Sequence, residues 1–186
     1  MGISRRPLLQ SDRIRIREID DTEDALVASW RSDPLVYSGF IEFAPASART
    51  QHDFMANVRA GDARSVWMIE AIEGSQAIPV GNVGIMGIDR RNRRCEFGPI
   101  FIGEHSYRGR GLALEAERLV LDYCFLHLGM HRVYAYVTEP NAAVVAFHEK
   151  AGFRRETALR EHIFMDGRFW DLIVLSLLED EHVPFS

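Results

Sequence analysis

The segment Tyr107-Arg108-Gly109-Arg110-Gly111-Leu112-Ala113 constrains this chain more than any other. It follows a strand-like stretch and opens residues 110–128, where Leu114, Leu121, Phe125 and Leu128 recur at helical spacing. Gly109 and Gly111 carry no Cβ, so the backbone can approach a ligand closely. The first turn of the helix presents unpaired N–H groups and the positive end of its dipole. A turn of this kind suits a phosphate or pyrophosphate, and Arg108 and Arg110 add charge. Leu114 stands where a Rossmann fingerprint needs its third glycine, and no Gly-Lys-Ser/Thr of a Walker loop is present. A glycine-rich turn without a ligand is the plain alternative.

Elements around this turn order themselves by periodicity. Ile14, Ile16 and Glu18 begin a period-two strand. Asp21 and Thr22 can cap a helix to about Arg31, and Pro34 ends it. Residues 34–47 read as a loop carrying Tyr37, Phe40 and Phe43, and residues 48–59 as a second helix stopped by Gly61. Strands follow at 65–72, 79–88 and 94–102, the last two joined by a turn at 89–93. After the long helix, Gly129 suits a C-terminal cap, residues 132–138 a strand, and 141–151 a short helix ended by Gly152. Strands at 153–159 and 169–178 close the chain around Asp166-Gly167. Strands flanking helical crossovers imply a mixed α/β sheet with helices on its faces.

The 186 residues suit one domain spanning 1–186, with no internal repeat or linker. Hydrophobic residues at 47% and charged residues at 26% are ordinary for a soluble globular protein. A net charge of -5 disfavours nucleic acid as a partner. Residues 1–10 contain no signal-peptide core, and no apolar run reaches the roughly 18–20 residues of a membrane helix, so no membrane partner is expected. Cys95 and Cys124 form no disulfide framework, which makes a reducing cytoplasm the default. Neither cysteine sits in a Cys–His motif, and buried inert thiols are expected. His127 and His131 are four apart, but Gly129 should break the helix between them, so no metal site is expected. The Arg90-Arg91-Asn92-Arg93-Arg94 run reads as a solvated hairpin tip.

Several ordered motifs resemble the GNAT superfamily of N-acetyltransferases. Residues Arg108 to Ala113 resemble its Arg/Gln-x-x-Gly-x-Gly/Ala motif, and Leu128-Gly129-Met130-His131-Arg132-Val133 its helix end and following strand. Asn141 through Gly152-Phe153 resembles its Asn-x-x-(Ala/Ser)…Glu-Lys-x-Gly-Phe block. Trp30-Arg31-Ser32-Asp33-Pro34 and Gly167-Arg168-Phe169-Trp170-Asp171 resemble the ribosomal-protein (Rim-type) branch. The resemblance runs from about Leu9 to Glu179. It implies a twisted, mixed, mostly antiparallel sheet whose central parallel strands splay apart, with flanking helices. Acetyl-CoA would be the co-substrate, its pantetheine arm pairing with the strand from Glu96 to Ile102 like an added strand. Phe101 and Ile102 would offer backbone groups to pantetheine. Arg108, Gly109, Arg110, Gly111, Leu112 and Ala113 would offer N–H groups to the pyrophosphate. Pro99, which lacks an N–H, fits the bulge that this family places in that strand. Dimerisation is a fold-level expectation.

The same resemblance assigns the chemistry. A neutral amine must attack the thioester, so a base removes its proton and the leaving thiolate benefits from an acid. Glu96 matches a glutamate that could be the base, directly or through water, or could bind the amine; a solvated strand residue is the alternative. His148 stands where many members carry a general-acid Tyr. An imidazole, with a reference pKa of about 6.5, can donate near neutrality. A helix-surface histidine without a role is the alternative. Asn141 matches the asparagine that holds pantetheine, and it could equally cap its helix. The acceptor would enter past Tyr37, Phe40, Phe43 and Trp170, each of which could also be ordinary packing. The leading acceptor is a protein N-terminus. The alternatives are a small amine (amino sugar, polyamine, amino acid or antibiotic) or a non-catalytic acyl-CoA sensor.

Overall fold

Alternation at Ile14-Arg15-Ile16-Arg17 gives one strand two chemically different faces, and the whole sheet inherits that division. The computed structural model describes residues 8–37, 47–61 and 63–185, with only the backbone of Arg59. β1 (Leu9–Gln10) and β2 (Ile14–Glu18) precede α1 (Asp24–Arg31), the helical turn α2 (Pro34–Tyr37) and α3 (Ala48–Ala60). Then come β3 (Ser65–Glu73), β4 (Gln76–Asp89), β5 (Arg94–Ile102) and α4 (Leu112–Asp122). β6 (Arg132–Thr138), α5 (Ala142–Lys150), β7 (Arg154–Met165) and β8 (Arg168–Leu178) complete the order. The eight strands form one sheet, β1-β2-β3-β4-β5-β6-β8-β7. β5 and β6 run parallel at its centre, and every other pair is antiparallel.

Period two splits the apolar residues between the two faces. Trp67 and Ile69 of β3 join Ile14, Ile85, Phe97 and Leu175 under α4, where Leu112, Ala116 and Val120 are buried. Val66 and Met68, one step out of phase, meet Val27 and Trp30 of α1 and Met55 and Val58 of α3. The molecule is therefore a sheet between two helical layers. The face toward α1 and α3 also buries a charge network, because Arg15, Arg17 and Glu70 occupy its positions. Arg17 donates to Glu70 Oε1 (2.9 Å) and to Glu23 Oε1 (2.6 Å), and Arg15 pairs with the same Glu70. Burial opposes the charge on Arg17, but its bonds to Glu23 and Glu70 prevail and raise its pKa.

Local differences from the sequence reading have local causes. Asp20, not Asp21, is the cap: its carboxylate accepts from Thr22 N, and Glu23 returns the contact to Asp20 N. Residues 34–37 of the predicted loop are helical, and 38–46, with Phe40 and Phe43, lie outside the described residues. Gly61 ends α3 in an extended conformation (φ -117°) rather than a left-handed one. The long helix is interrupted by a π turn, Tyr123–His127, whose end Leu128 N donates to Tyr123 O (3.0 Å). β7 runs on to Met165, past a register shift near Glu161, whose φ of 51° breaks the alternation that would have marked it. Asp166 and Gly167 both have positive φ, as the tight hairpin requires.

Candidate active site

β5 builds the centre of the site. Arg94, Cys95 and Glu96 pair with Arg132, Val133 and Tyr134 of β6. Beyond Glu96 the parallel ladder stops, while pairing to β4 continues to Ile102. From Phe97 to Ile100 that edge of β5 therefore has no β6 partner, a template for an extended ligand. On the other edge, Val83 pairs with Ile100 and Ile85 with Phe97, so Gly98 and Pro99 together face Gly84. That is a bulge, with Gly98 at φ 136°, and it seats the proline where no ladder N–H is needed.

The turn into α4 has the features an anion site needs. Gly109 (φ 74°) and Gly111 (φ 80°) are left-handed, and a Cβ on either would meet nothing within 4 Å. Conformation and open space, not crowding by protein, call for glycine here. Gly111 is the N-cap of α4, and no side chain caps this end. Arg110 lies over the Tyr107 ring, 4.4 Å from its centre, and 3.4 Å from Glu73 Oε1. Arg108 departs from expectation. Its N–H donates to His105 O (3.2 Å), and its guanidinium donates to Ile102 O (2.9 Å) and Asp33 Oδ2 (2.9 Å). It clamps the end of β5 to the turn, and its N–H is engaged within the turn. Asp33 also accepts from Leu35 N and bonds His105, and these contacts hold its carboxyl down at about 2. An open groove of about 610 Å³ adjoins Gly111 between the β1–β2 turn and α4, away from Glu96 and His148.

Phe101 faces Asn82 and Ile102 faces Gly81 on β4, and the Ile102 carbonyl already accepts from Arg108. Asn141 precedes α5, but its side chain makes no capping bond; its carbonyl takes Val144 N and Val145 N instead. The amide remains available to a ligand, so the capping alternative does not account for it.

Glu96 and Phe97 are neighbours in sequence and point to opposite faces. Glu96 lies with Met86 and Tyr134 on the α1–α3 face, half-buried. Burial raises its carboxyl pKa, and the Arg64 charge pulls it the other way. Phe97 packs in the core under α4, where its ring meets that of His148 edge-on at 5.8 Å. His148 is not a surface residue of α5: it is 4% exposed. The site's carboxylate and imidazole therefore flank the opening of the strands from its two sides.

The sequence did not single out Glu117, a fully buried residue of α4 whose Oε1 lies 2.6 Å from His148 Nδ1. The signal was present, since Val120 and Leu121 at i+3 and i+4 are both core residues. Tyr37 ends α2, half-buried. Trp170 is not brought to Glu96. Its Nε1 donates to Met165 O (3.2 Å) and Arg168 covers its ring at 3.5 Å, inside the β7–β8 hairpin. Tyr134 pairs with Ser176, so Trp170 lies six residues, about 20 Å, farther along β8. Cys95 and Cys124 are buried, with their sulfurs 3.9 Å apart. No helix among the described residues is long and apolar enough to cross a membrane. Asp21, Asp24 and His52 are grouped within 4.8 Å on the α1–α3 layer, a cluster that sequence spacing does not suggest.

Comparison with known proteins agrees with this fold. The family described as acetyltransferase (GNAT) domain matches residues 13–154. Spermidine N(1)-acetyltransferase of Escherichia coli K12 is 25% identical over 182 residues, covering 98% of this chain and 89% of its own. The uncharacterized N-acetyltransferase YoaA of Bacillus subtilis is 31% identical over 181 residues, covering 93% of this chain and 97% of its own. Among solved structures, spermidine N-acetyltransferase from Vibrio cholerae in complex with CoA and spermine superposes with a TM-score of 0.83 at 23% identity, covering 92% of this chain and 98% of its own. The chain belongs to the GNAT acetyltransferase family and is an acetyl-CoA-dependent N-acetyltransferase.

Proposed function

We propose that the acceptor is a small polycationic amine of the polyamine class, not the protein N-terminus that the Rim-type resemblance put first. The observation that carries this reading is the match to a spermidine N(1)-acetyltransferase across 98% of the chain. The position of Glu96 supports it. A carboxylate on the α1–α3 face, at the mouth of the opened strands, can hold an ammonium and then take its proton. Burial raises the pKa of Glu96, which brings its basicity closer to the working pH. It serves only when ionised, so activity rises with pH through its titration.

Acetyl-CoA, the acyl donor, supplies the activated carbonyl. The edge of β5 from which β6 has parted holds its pantetheine arm, the Asn141 amide steadies that arm, and the turn at Gly109 and Gly111 takes the pyrophosphate. Glu96 takes a proton from the ammonium, directly or through a water. The neutral amine attacks the thioester carbon; the C–N bond forms, the C–S bond breaks, the thiolate takes a proton from His148 Nε2, and the attacking nitrogen gives up its second proton to water, leaving the neutral amide and CoA thiol. The two side chains can divide this work because they stand on opposite faces of one strand. The two substrates thus approach each other through the sheet, and proximity contributes much of the rate.

The test follows CoA thiol release with spermidine, spermine and putrescine beside peptides with free N-termini. A thiol reagent is suitable because both cysteines are buried. Polyamine kcat/KM should exceed the peptide value by about tenfold or more. Peptide turnover without polyamine turnover would restore the N-terminal reading, and CoA binding without any turnover would make the chain a sensor.

A further inference from the structure

His148 is held by an arrangement that packing does not require. Its Nδ1 meets Glu117 Oε1 at 2.6 Å, and three aromatic rings enclose it: Phe97 at 5.8 Å, Phe147 at 5.3 Å and Phe153 at 5.3 Å. Glu117 is 0% exposed, and its Oε2 has no hydrogen-bond partner among the described residues. A buried carboxylate with one oxygen unpaired is costly, and an apolar residue would fill the position without that cost. Nor is the pair needed to join the helices, because Arg118 Nη2 already donates to Lys150 O (3.1 Å). Nε2 makes no hydrogen bond among the described residues, and the 4% of His148 that stays exposed is all that the packing leaves open. The ring is beside Phe97, the first residue past the end of the β5–β6 ladder.

We propose that Glu117 is a positioning residue that controls the protons of His148. It orients the ring through Nδ1 and keeps Nε2 as the nitrogen that carries and releases a proton at the opening of the strands. The inference rests on His148 as the acid of the proposed reaction. Its physical basis is charge balance in a buried site. Burial disfavours a net negative pair, so the resting dyad holds two protons among Oε1, Nδ1 and Nε2. Whichever side of the short Nδ1–Oε1 contact one proton occupies, the other is on Nε2. When Nε2 gives up its proton to the thiolate, the remaining one stays on Nδ1, bonded to the carboxylate. The same logic orients histidine in hydrolase triads. The charged group facing the ring is Glu117 itself. Arg118 acts on Glu117 at longer range, Glu149 and Lys150 are on the exposed side of α5, and Glu96 is across the sheet.

Imidazole nitrogen NMR on the full-length protein, labelled with nitrogen-15 histidine, decides this without reference to turnover. The His148 signals are assigned by their loss in His148→Gln. At alkaline pH, once the wild-type dyad has given up one of its two protons, Nδ1 should carry the remaining hydrogen; a ring that then still holds its hydrogen on Nε2, or an even mixture, would overturn the proposal. In the isosteric Glu117→Gln, the neutral amide should leave Nε2 less able to retain its proton. The alkaline limb of the kcat profile should then move to lower pH by about one unit, with acetyl-CoA affinity retained. A variant that only melts earlier, with wild-type nitrogen signals and an unmoved limb, would make the pair a brace and refute the assignment. Failure of the underlying reading looks different: His148→Gln would then keep full kcat while the wild-type ring still shows Nδ1–H.

Discussion

Gly111→Ala separates backbone strain from anion binding, because the structure supplies its own control. Gly111 has φ 80° and Gly129 has φ 64°, and a Cβ at either meets no atom within 4 Å. Alanine in the left-handed region costs about 1–2 kcal/mol at each position. For a chain of 186 residues, each kcal/mol moves Tm by about 2–4 °C, so both variants should melt roughly 2–8 °C lower. The two glycines differ in what surrounds them. Gly111 caps the N-terminus of α4, where unpaired N–H groups face open space. Gly129 follows the π turn at the other end, at the negative pole of the helix. A methyl group on Gly111 holds a phosphate away from donors whose charge-assisted bonds are worth about 1.5–3 kcal/mol, a loss of about 10- to 150-fold in affinity. Isothermal titration with acetyl-CoA, below the melting range of both variants, should show that loss in Gly111→Ala and wild-type affinity in Gly129→Ala. Equal affinities in the two variants would refute the assignment of the turn to the pyrophosphate.

Three further variants probe the supporting structure. Asn141→Ala should leave Tm unchanged, since the side chain caps nothing, while acetyl-CoA affinity falls about 3- to 10-fold; a lower Tm with full affinity would return Asn141 to a structural role. Asp33→Asn should weaken acetyl-CoA binding several-fold by slackening the Arg108 clamp on β5. The Asp33 carboxyl is depressed from 3.8 to about 2 in the folded chain. Its stabilising contribution is therefore complete above pH about 4, fades as the pH falls toward 2, and should be missing from the acid-unfolding curve of Asp33→Asn. Glu70→Ala leaves buried Arg17 with Glu23 alone, so urea unfolding should show a loss of about 3–5 kcal/mol, and a loss below 1 would mean the network relaxes around the vacancy.

Much of this was legible in the chain because it is written in local periodicity. The strands at 94–102 and 132–138 coincide with β5 and β6, and Gly129, which reads as a C-terminal cap, is left-handed, as are Gly109 and Gly111, which read only as glycines that admit a ligand. What stayed hidden depends on contacts between distant elements. Arg108 reads as a ligand-binding cation until Asp33, 75 residues away, is seen to hold it. His148 reads as a helix residue of uncertain exposure until α4 brings Glu117 to its Nδ1 across 31 residues of sequence. Trp170 reads as a pocket aromatic until Met165 and Arg168 occupy its edge and face. The π turn escaped notice because it shifts hydrogen bonding by one residue and leaves the apolar spacing nearly intact.

The opening between β5 and β6 needs two conditions at once, and β4 provides the second. A strand released from one neighbour must be held firmly by the other, or its free edge would fray and lose the register a ligand reads. Gly81 and Gly84 make that hold possible. A Cβ on Gly81 would fall 2.1 Å from Phe101 O, and one on Gly84 would fall 2.6 Å from Ser65 O and 3.3 Å from Pro99 Cδ. Any side chain at these positions would push β3, β4 and β5 apart beside the bulge. Arg108 then fixes the far end of β5 through Ile102 O. Glycine on β4, a bulge at Gly98 and Pro99, and an arginine clamp beyond Ile102 thus keep β5 rigid along the segment where β6 has left it. Where that segment begins, Glu96 and Phe97 project to opposite faces, so the proposed base on one layer and the proposed acid on the other can serve the same bond.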